Sequence, residues 1–421
     1  MTAGGDRRSA ARALFEAGVA AADPARAVAR SLDAAPVEAS RILAFGKAAV
    51  PMAEAALERL PGRPTLIVTN AENAREIEGA RTLVAGHPVP DAGGEAAARE
   101  VERFVEPAGD GETVLVLVSG GGSAMLPAPV EGVTLADKIA VTELLLASGA
   151  PIDEVNAVRR ALSRLKGGGL ARAIHPARTV ALLLSDVPRD EIAAIASGPT
   201  VPPTDPGSVM ADALEALRRH GLEARVPASV TRALAATRGD ERVEPDVDNR
   251  LVGGNSVSLD AMAALCKARG LRHHVVSRWL DGDVADAAAL VHRAAREAPA
   301  DCDALLAGGE TTVVLRGDGH GGRNQEMALR LALLCESEPI GRAWTFLSGG
   351  TDGRDGPTEA AGGIVDAGTP ARIRAAGLDP EALLADNDSH AALAASGDLL
   401  VTGGTGTNVA DLQVLLLGER A

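Results

Sequence analysis

The chain is expected to be an α/β protein of two domains: a larger, Rossmann-like domain whose largely parallel sheet carries helices on both faces, and a second α/β domain after it. Three observations predict this. Apolar strand runs open repeatedly into glycine-rich loops, helical text follows those loops, and 421 residues at 46% apolar content are enough to build two or three cores.

In chain order, an Ala-rich helical start (Ala10 to Arg30) precedes the strand Arg41–Phe45, the turn Gly46-Lys47-Ala48-Ala49 and a helix through Leu60. Next come the strand Leu66–Thr69, the loop Gly86–Asp91, a helix near Glu95–Val105 and the strand Val114–Val118, which opens into Ser119-Gly120-Gly121-Gly122-Ser123. Strands alternating with helices need crossover connections, and these produce parallel pairing. From Asn156 to Leu165, Val158, Leu162 and Leu165 share one helical face, and Lys166 followed by glycines ends the helix. The strand Val180–Leu184 leads into Ser185-Asp186. A Pro-rich stretch, Pro199–Pro206, and a charged one, Arg238–Arg250, read as surface connections. They set the domain boundary near residue 247, giving domains 1–247 and 248–421, with the active site expected in the cleft between them. The second half repeats the pattern: Thr312–Leu315 runs into Gly317–Gly322, Trp344–Leu347 into Ser348–Gly356, and Leu399–Val401 into Thr402–Asn408.

Composition narrows the partners. A net charge of −15 argues against nucleic acid and anionic membranes, and four Phe, two Trp and no Tyr leave few platforms for stacking bases. An anionic substrate must therefore be held by local cations. Cys266, Cys302 and Cys335 lie far apart, so neither a disulfide framework nor a zinc knuckle is indicated. Met1 to Arg12 carries charge without an apolar signal core, and no apolar run approaches a membrane span, which makes the cytoplasm the expected location. The histidines show no zinc spacing; His87 and His320 lie in Gly/Pro loops.

Candidate chemistry concentrates in the glycine loops. Gly317–Glu326 crowds glycines against Arg323, Asn324 and Gln325, which suits an anion site; it also reads as G-x-G-x-x-G, the dinucleotide fingerprint. Lys47, at a strand-to-helix turn, can aim its ammonium at an anion, or is a solvated helix lysine. Asp186, at the end of a buried strand, is a candidate general base or metal ligand, with a cap or turn role as the alternative. Asp352 and Asp355 share a glycine-rich loop and can offer oxygens to Mg²⁺, whereas Asp386, Asn387, Asp388 and Ser389 are better explained by an Asx turn. No G-x-S-x-G elbow and no Walker A loop is present.

Taken together, these segments resemble class II glycerate kinase, the glycerate 2-kinase family whose C-terminal region is the MOFRL domain. The resemblance runs nearly end to end. It is carried by Phe45-Gly46-Lys47-Ala48-Ala49, Ser119–Ala124, Lys166-Gly167-Gly168-Gly169-Leu170, Ser185-Asp186-Val187, Ala196–Thr200, Gly254-Asn255-Ser256, Gly308-Gly309-Glu310-Thr311-Thr312, Gly321–Glu326, Thr351–Thr358 and Gly406-Thr407-Asn408. One departure is Gly404 before Thr405, where the family pattern has proline. The resemblance implies ATP-dependent phosphorylation of D-glycerate at its 2-hydroxyl with Mg²⁺, with Lys47 and Arg323 at the active site; the sequence itself leaves monomer and homodimer both open. Asp186 is the base candidate. Ser119, Gly120, Gly121, Gly122, Ser123, Lys166, Asn255, Glu310 and Asn324 are the candidate nucleotide-binding set, and Asp352 and Asp355 the metal candidates. The alternatives are a nicotinamide-dependent hydroxypyruvate reductase and a non-catalytic metabolite-binding protein.

Overall fold

Aliphatic runs such as Ile42–Phe45, Leu66–Val68, Val114–Val118 and Val180–Leu184 are stable only where both faces are covered, and the first half of the chain stacks them into one sheet. The computed structural model describes residues 3–203, 208–236 and 243–420. Within it, β1 (Arg41–Phe45), β2 (Thr65–Thr69), β3 (Ala80–Val84), β4 (Thr113–Val118), β5 (Arg178–Leu184) and β6 (Val247–Gly253) lie in the order β3-β2-β1-β4-β5-β6. The pairs β1–β2, β2–β3, β1–β4 and β4–β5 are parallel. Leu43, Phe45, Val68, Val116 and Val118 share a core with Val101 of the helix Ala92–Val105. A separate apolar cluster among the helices joins Leu145, Val158, Leu217 and Val230. The strand order reverses at β1 and β4, so the loops leaving these neighbours diverge and open a crevice at the carboxyl edge, where open α/β sheets collect ligands.

The second sheet comprises β7 (His273–Leu280), β8 (Ala304–Gly309), β9 (Arg342–Gly350), β10 (Gly362–Asp366), β11 (Leu399–Leu400) and β12 (Asp411–Arg420), in the order β11-β10-β9-β12-β8-β7. It is mixed: β7 and β8 are parallel, while β12 runs antiparallel to both β8 and β9, and β10 antiparallel to β9 and β11. One apolar cluster gathers Phe15, Leu259, Met262, Leu306 and Leu412, another Val291, Met327, Leu331, Phe346 and Leu415.

The structure differs from the sequence expectations in three places. The helical start breaks at Asp23-Pro24; the helix Ala3–Ala21 buries Leu14 and Phe15 against the second sheet, and Ser258 Oγ donates to Gly18 O at 2.8 Å. The compact units are therefore Pro24–Val252 and, discontinuously, Met1–Asp23 with Gly253–Ala421. The boundary placed at 247 coincides with the first residue of β6, a strand the first sheet keeps. Thr312–Leu315 forms no strand: Thr312 makes one bridge to Asp283, and Leu315 is 80% exposed. The Asn387 side chain takes the place of a ladder partner, accepting from the N–H groups of Arg316 and Gly317 (2.6 and 3.2 Å) and donating to Val314 O (3.3 Å). The surface connections expected at Pro199–Pro206 and Arg238–Arg250 fall partly outside the described residues. All three cysteines are free and buried, and among the described residues no helix is long and apolar enough to cross a membrane.

Candidate active site

In the unit Pro24–Val252, the turns after β1 and β4 are stitched to each other. Gly46 adopts φ +117°, a conformation side chains resist, and its N–H donates to Val68 O (3.0 Å). Lys47 N–H then donates to Gly120 O (2.9 Å), and Ala48 N–H to Ser119 Oγ (3.0 Å). The side chains that surround this junction can be located from the glycines. A Cβ on Gly121 (φ +83°) would stand 3.2 Å from Lys47 Cγ and 3.0 Å from His87 Cδ2, and a Cβ on Gly120 would overlap the Asp186 carboxylate. Lys47, His87, the Gly120-Gly121 backbone and Asp186 thus meet at the switch point of the sheet. Burial, and then the Lys47 charge, hold the His87 imidazole below the usual histidine range. His87 was legible as a residue of a Gly/Pro loop at the cleft; its place beside Lys47 comes from the fold.

Behind this junction lies a rigid support. Ser123 Oγ and Ser197 Oγ stand 2.9 Å apart, and Lys166 Nζ donates to Ser123 O and Leu126 O, both at 2.8 Å. Lys166 is 4% exposed. Burial, with the charges of Lys138 and Arg159, pushes its ammonium well below the ordinary lysine range. Gly167 and Gly168 N–H groups donate to Ser197 O and Gly198 O (3.0 and 2.7 Å). Ala196 and Ser197 are held at φ +49° and +65°, unfavourable for residues with a Cβ and kept only where surrounding bonds overdetermine them.

The second unit builds its own charged edge where β8 and β9 end and β12 begins. Asp411 pairs in register with Gly309 on one side and Gly350 on the other. Its carboxylate, 1% exposed, accepts from Arg323 Nε–H (2.6 Å) and Nη2–H (3.0 Å). Glu310 lies 3.0 Å from Arg323 Nη1. Burial pushes the Asp411 carboxyl up to about 6 despite the guanidinium beside it. Burial alone would lower Arg323, but the bonds and charge of Asp411, with the charges of Glu310 and Asp355, win and raise it. Asp411 was missed in the sequence because it lies 88 residues from its partner and outside every glycine loop.

The remaining candidates divide by exposure. Asp355, 3% exposed, accepts from the backbone N–H groups of Asn324 and Gln325 (3.1 and 2.8 Å) and from both side-chain amides (3.3 and 3.0 Å), so it caps the helix Arg323–Ser337. Asp355→Ala should destabilise the protein by about 2–4 kcal/mol in urea unfolding, because the buried N–H groups of Asn324 and Gln325 lose their acceptor. Asn324 is 1% exposed, and its Oδ1 accepts from Ser348 Oγ (2.6 Å). Asn255, 2% exposed, donates to Val409 O and Asp411 O (2.8 and 2.9 Å), fixing the start of β12. Asp352 is half-buried, and one of its oxygens accepts Arg354 N–H (2.9 Å). The first four N–H groups of the Gly317–Gly322 loop are taken within the protein and do not face a ligand phosphate. Asn387 takes Gly317 N–H, Asp386 those of Asp318 and Gly319, and Asp388 that of His320. Cβ atoms on Gly317, Gly319 and Gly321 would overlap Asp386, Asp388 and Ser389, so the glycines serve the approach of that loop.

Residues 10–235 match a family model described as a domain of unknown function (DUF4147), and residues 303–411 match the MOFRL family. A D-glycerate 2-kinase from Thermotoga maritima is 39% identical over 417 residues, covering 96% of this chain and 97% of its own. A protein from Agrobacterium vitis that carries a hydroxypyruvate reductase name is 39% identical over 422 residues, covering 98% of this chain and 94% of its own. A solved glycerate kinase structure from Thermotoga maritima superposes with a TM-score of 0.90 at 38% identity, covering 98% of this chain and 99% of that one.

Proposed function

Since the chain belongs to the class II glycerate kinase family, we propose that it transfers the γ-phosphoryl group of ATP to the 2-hydroxyl of D-glycerate, releasing 2-phosphoglycerate and ADP. The observation that carries this reading is the near full-length likeness to a D-glycerate 2-kinase. Phosphoryl transfer asks a protein for cations around a spreading negative charge and for a base near the attacking hydroxyl; this reading assigns the first role to Lys47 and Arg323 and the second to Asp186.

In this reading, Asp186 takes the proton as the glycerate oxygen attacks phosphorus and the bond to the ADP oxygen breaks. Its carboxylate packs against Gly120, in the loop proposed to carry the phosphates, Ser119–Ser123. Lys166 acts from beneath, fixing that loop through its carbonyls. Gly120→Ala would push Asp186 aside and should lower kcat by about 10–100-fold in a steady-state assay, since misplacing a reacting group by an ångström costs that much.

Mg²⁺ fits the donor set at Asp352, since magnesium in kinases usually takes one or two carboxylates and completes its shell with phosphate oxygens and water. Asp355 fits less well, its oxygens being committed to the helix. When bound, the ion would neutralise charge on the phosphate chain; the positioning described here belongs to the protein's own residues.

Incubation with D-glycerate, ATP and Mg²⁺, followed by phosphorus NMR, tests the proposal. The expected product is 2-phosphoglycerate. Formation of 3-phosphoglycerate would overturn the regiochemistry, and oxidation of NADH or NADPH by hydroxypyruvate without phosphorylation would make the protein a reductase. The fingerprint that would support a reductase, Gly317–Gly322, spends the N–H groups of Gly317, Asp318, Gly319 and His320 on the loop at Asp386–Asp388.

A further inference from the structure

Arg323 carries one positive charge between two carboxylates, Asp411 and Glu310. Asp411, Glu310 and Asp355 all act on it, and two of these carboxylates are buried in place, at 1% and 3% exposure. Asp411 engages the guanidinium side-on, through Nε and Nη2, which orients the fork and leaves the Nη1 edge pointing to Glu310. A guanidinium has five N–H donors, and the Nη1 edge belongs to the end that grips a carboxylate or phosphate bidentately. Adding a substrate anion to one cation already facing three carboxylates is electrostatically unfavourable unless one of them leaves. Glu310 alone among the three can do so, because its side chain is 46% exposed and can exchange Arg323 for water at small cost.

We propose that Glu310 competes with the anionic substrate for the Nη1 edge of Arg323, as a built-in counter-anion that sets substrate affinity, while Asp411 is the fixed positioning residue of the same guanidinium. This rests on the reading of Arg323 as the anion-binding cation of the kinase. The two carboxylates then have opposite mutational signatures. Removing the charge of Glu310 frees Arg323, and removing that of Asp411 lets it drift.

The test compares wild type, Glu310→Gln, Asp411→Asn, Asp411→Glu, Arg323→Lys and the double variant Glu310→Gln/Arg323→Lys. Steady-state kinetics are combined with calorimetric titration of D-glycerate alone and of a non-hydrolysable ATP analogue with Mg²⁺. Glu310→Gln should lower KM and Kd for one of the two anionic ligands by about two- to fivefold, the scale of a partly exposed ion pair, with the melting temperature little changed. The gain should shrink in the double variant. Asp411→Asn should chiefly lower kcat, and Asp411→Glu should restore part of it. Unchanged or raised constants in Glu310→Gln, or a raised Mg²⁺ requirement, would overturn the proposal and make Glu310 a bystander or a ligand contact. Wild-type constants in Arg323→Lys would instead remove the reading on which it rests.

Discussion

Arg323→Lys is expected to lower kcat by about 10²–10³-fold, the loss typical when one preorganised donor to a developing charge is removed. The replacement keeps the charge but not the geometry. Arg323 reaches Asp411 with Nε and Nη2 while Nη1 points elsewhere, and a lysine ammonium cannot do both, being a point charge on a flexible stem. Because Asp411 keeps a cationic neighbour, the fold should survive, and the defect should appear in turnover measured at saturating ATP and D-glycerate. Near-normal turnover would sink the assignment of Arg323 to the reacting centre.

Arg323→Ala asks a different question, and its answer depends on pH. With the guanidinium gone, the Asp411 carboxylate is buried without its partner, and urea unfolding at pH 8 should show a loss of about 3–5 kcal/mol. In the intact protein, the Asp411 carboxyl is raised from 3.8 to about 6, so the folded state holds its proton more tightly than the unfolded chain does. A group shifted in that sense favours folding fully below pH 3.8, and the contribution is lost as pH rises through about 6. Removing Arg323 raises the carboxyl further and moves the upper limit higher. The deficit should therefore be largest at pH 8 and shrink on acidification towards pH 5. A deficit that is constant across this range would mean that Asp411 does not carry the charge when the protein is folded.

How much of this was readable beforehand depended on whether a feature is local. β1, β4 and β5 were visible because uninterrupted aliphatic runs have no alternative to burial, and the turns after them were visible because Gly46 and Gly121 sit at φ values that glycine adopts at least cost. Lys47, Asp186 and Arg323 could be picked out as polar residues at the ends of such runs or loops. Thr312–Leu315 has the composition of a strand, but composition cannot show that Asn387, more than 70 residues away, would take its hydrogen bonds. The G-x-G-x-x-G spacing likewise recorded close backbone approach faithfully while leaving open what approaches. The burial of Lys166 and the partnership of Asp411 with Arg323 both arise from contacts distant in sequence, which periodicity does not encode.

The first helix has a consequence for how the molecule is made. Leu14 and Phe15 are synthesised early, yet the surface they cover, Leu259, Leu306 and Leu412 among it, emerges from the ribosome only after the whole first sheet. Until then Leu14 and Phe15 have no native surface to cover, which leaves this segment open to capture by a chaperone. A fragment starting at Gly253 would meet the converse problem: it would contain every strand of its sheet and still lack one wall of its core. Supplying residues 3–23 as a separate peptide should rescue the solubility of such a fragment, which light scattering and circular dichroism would register.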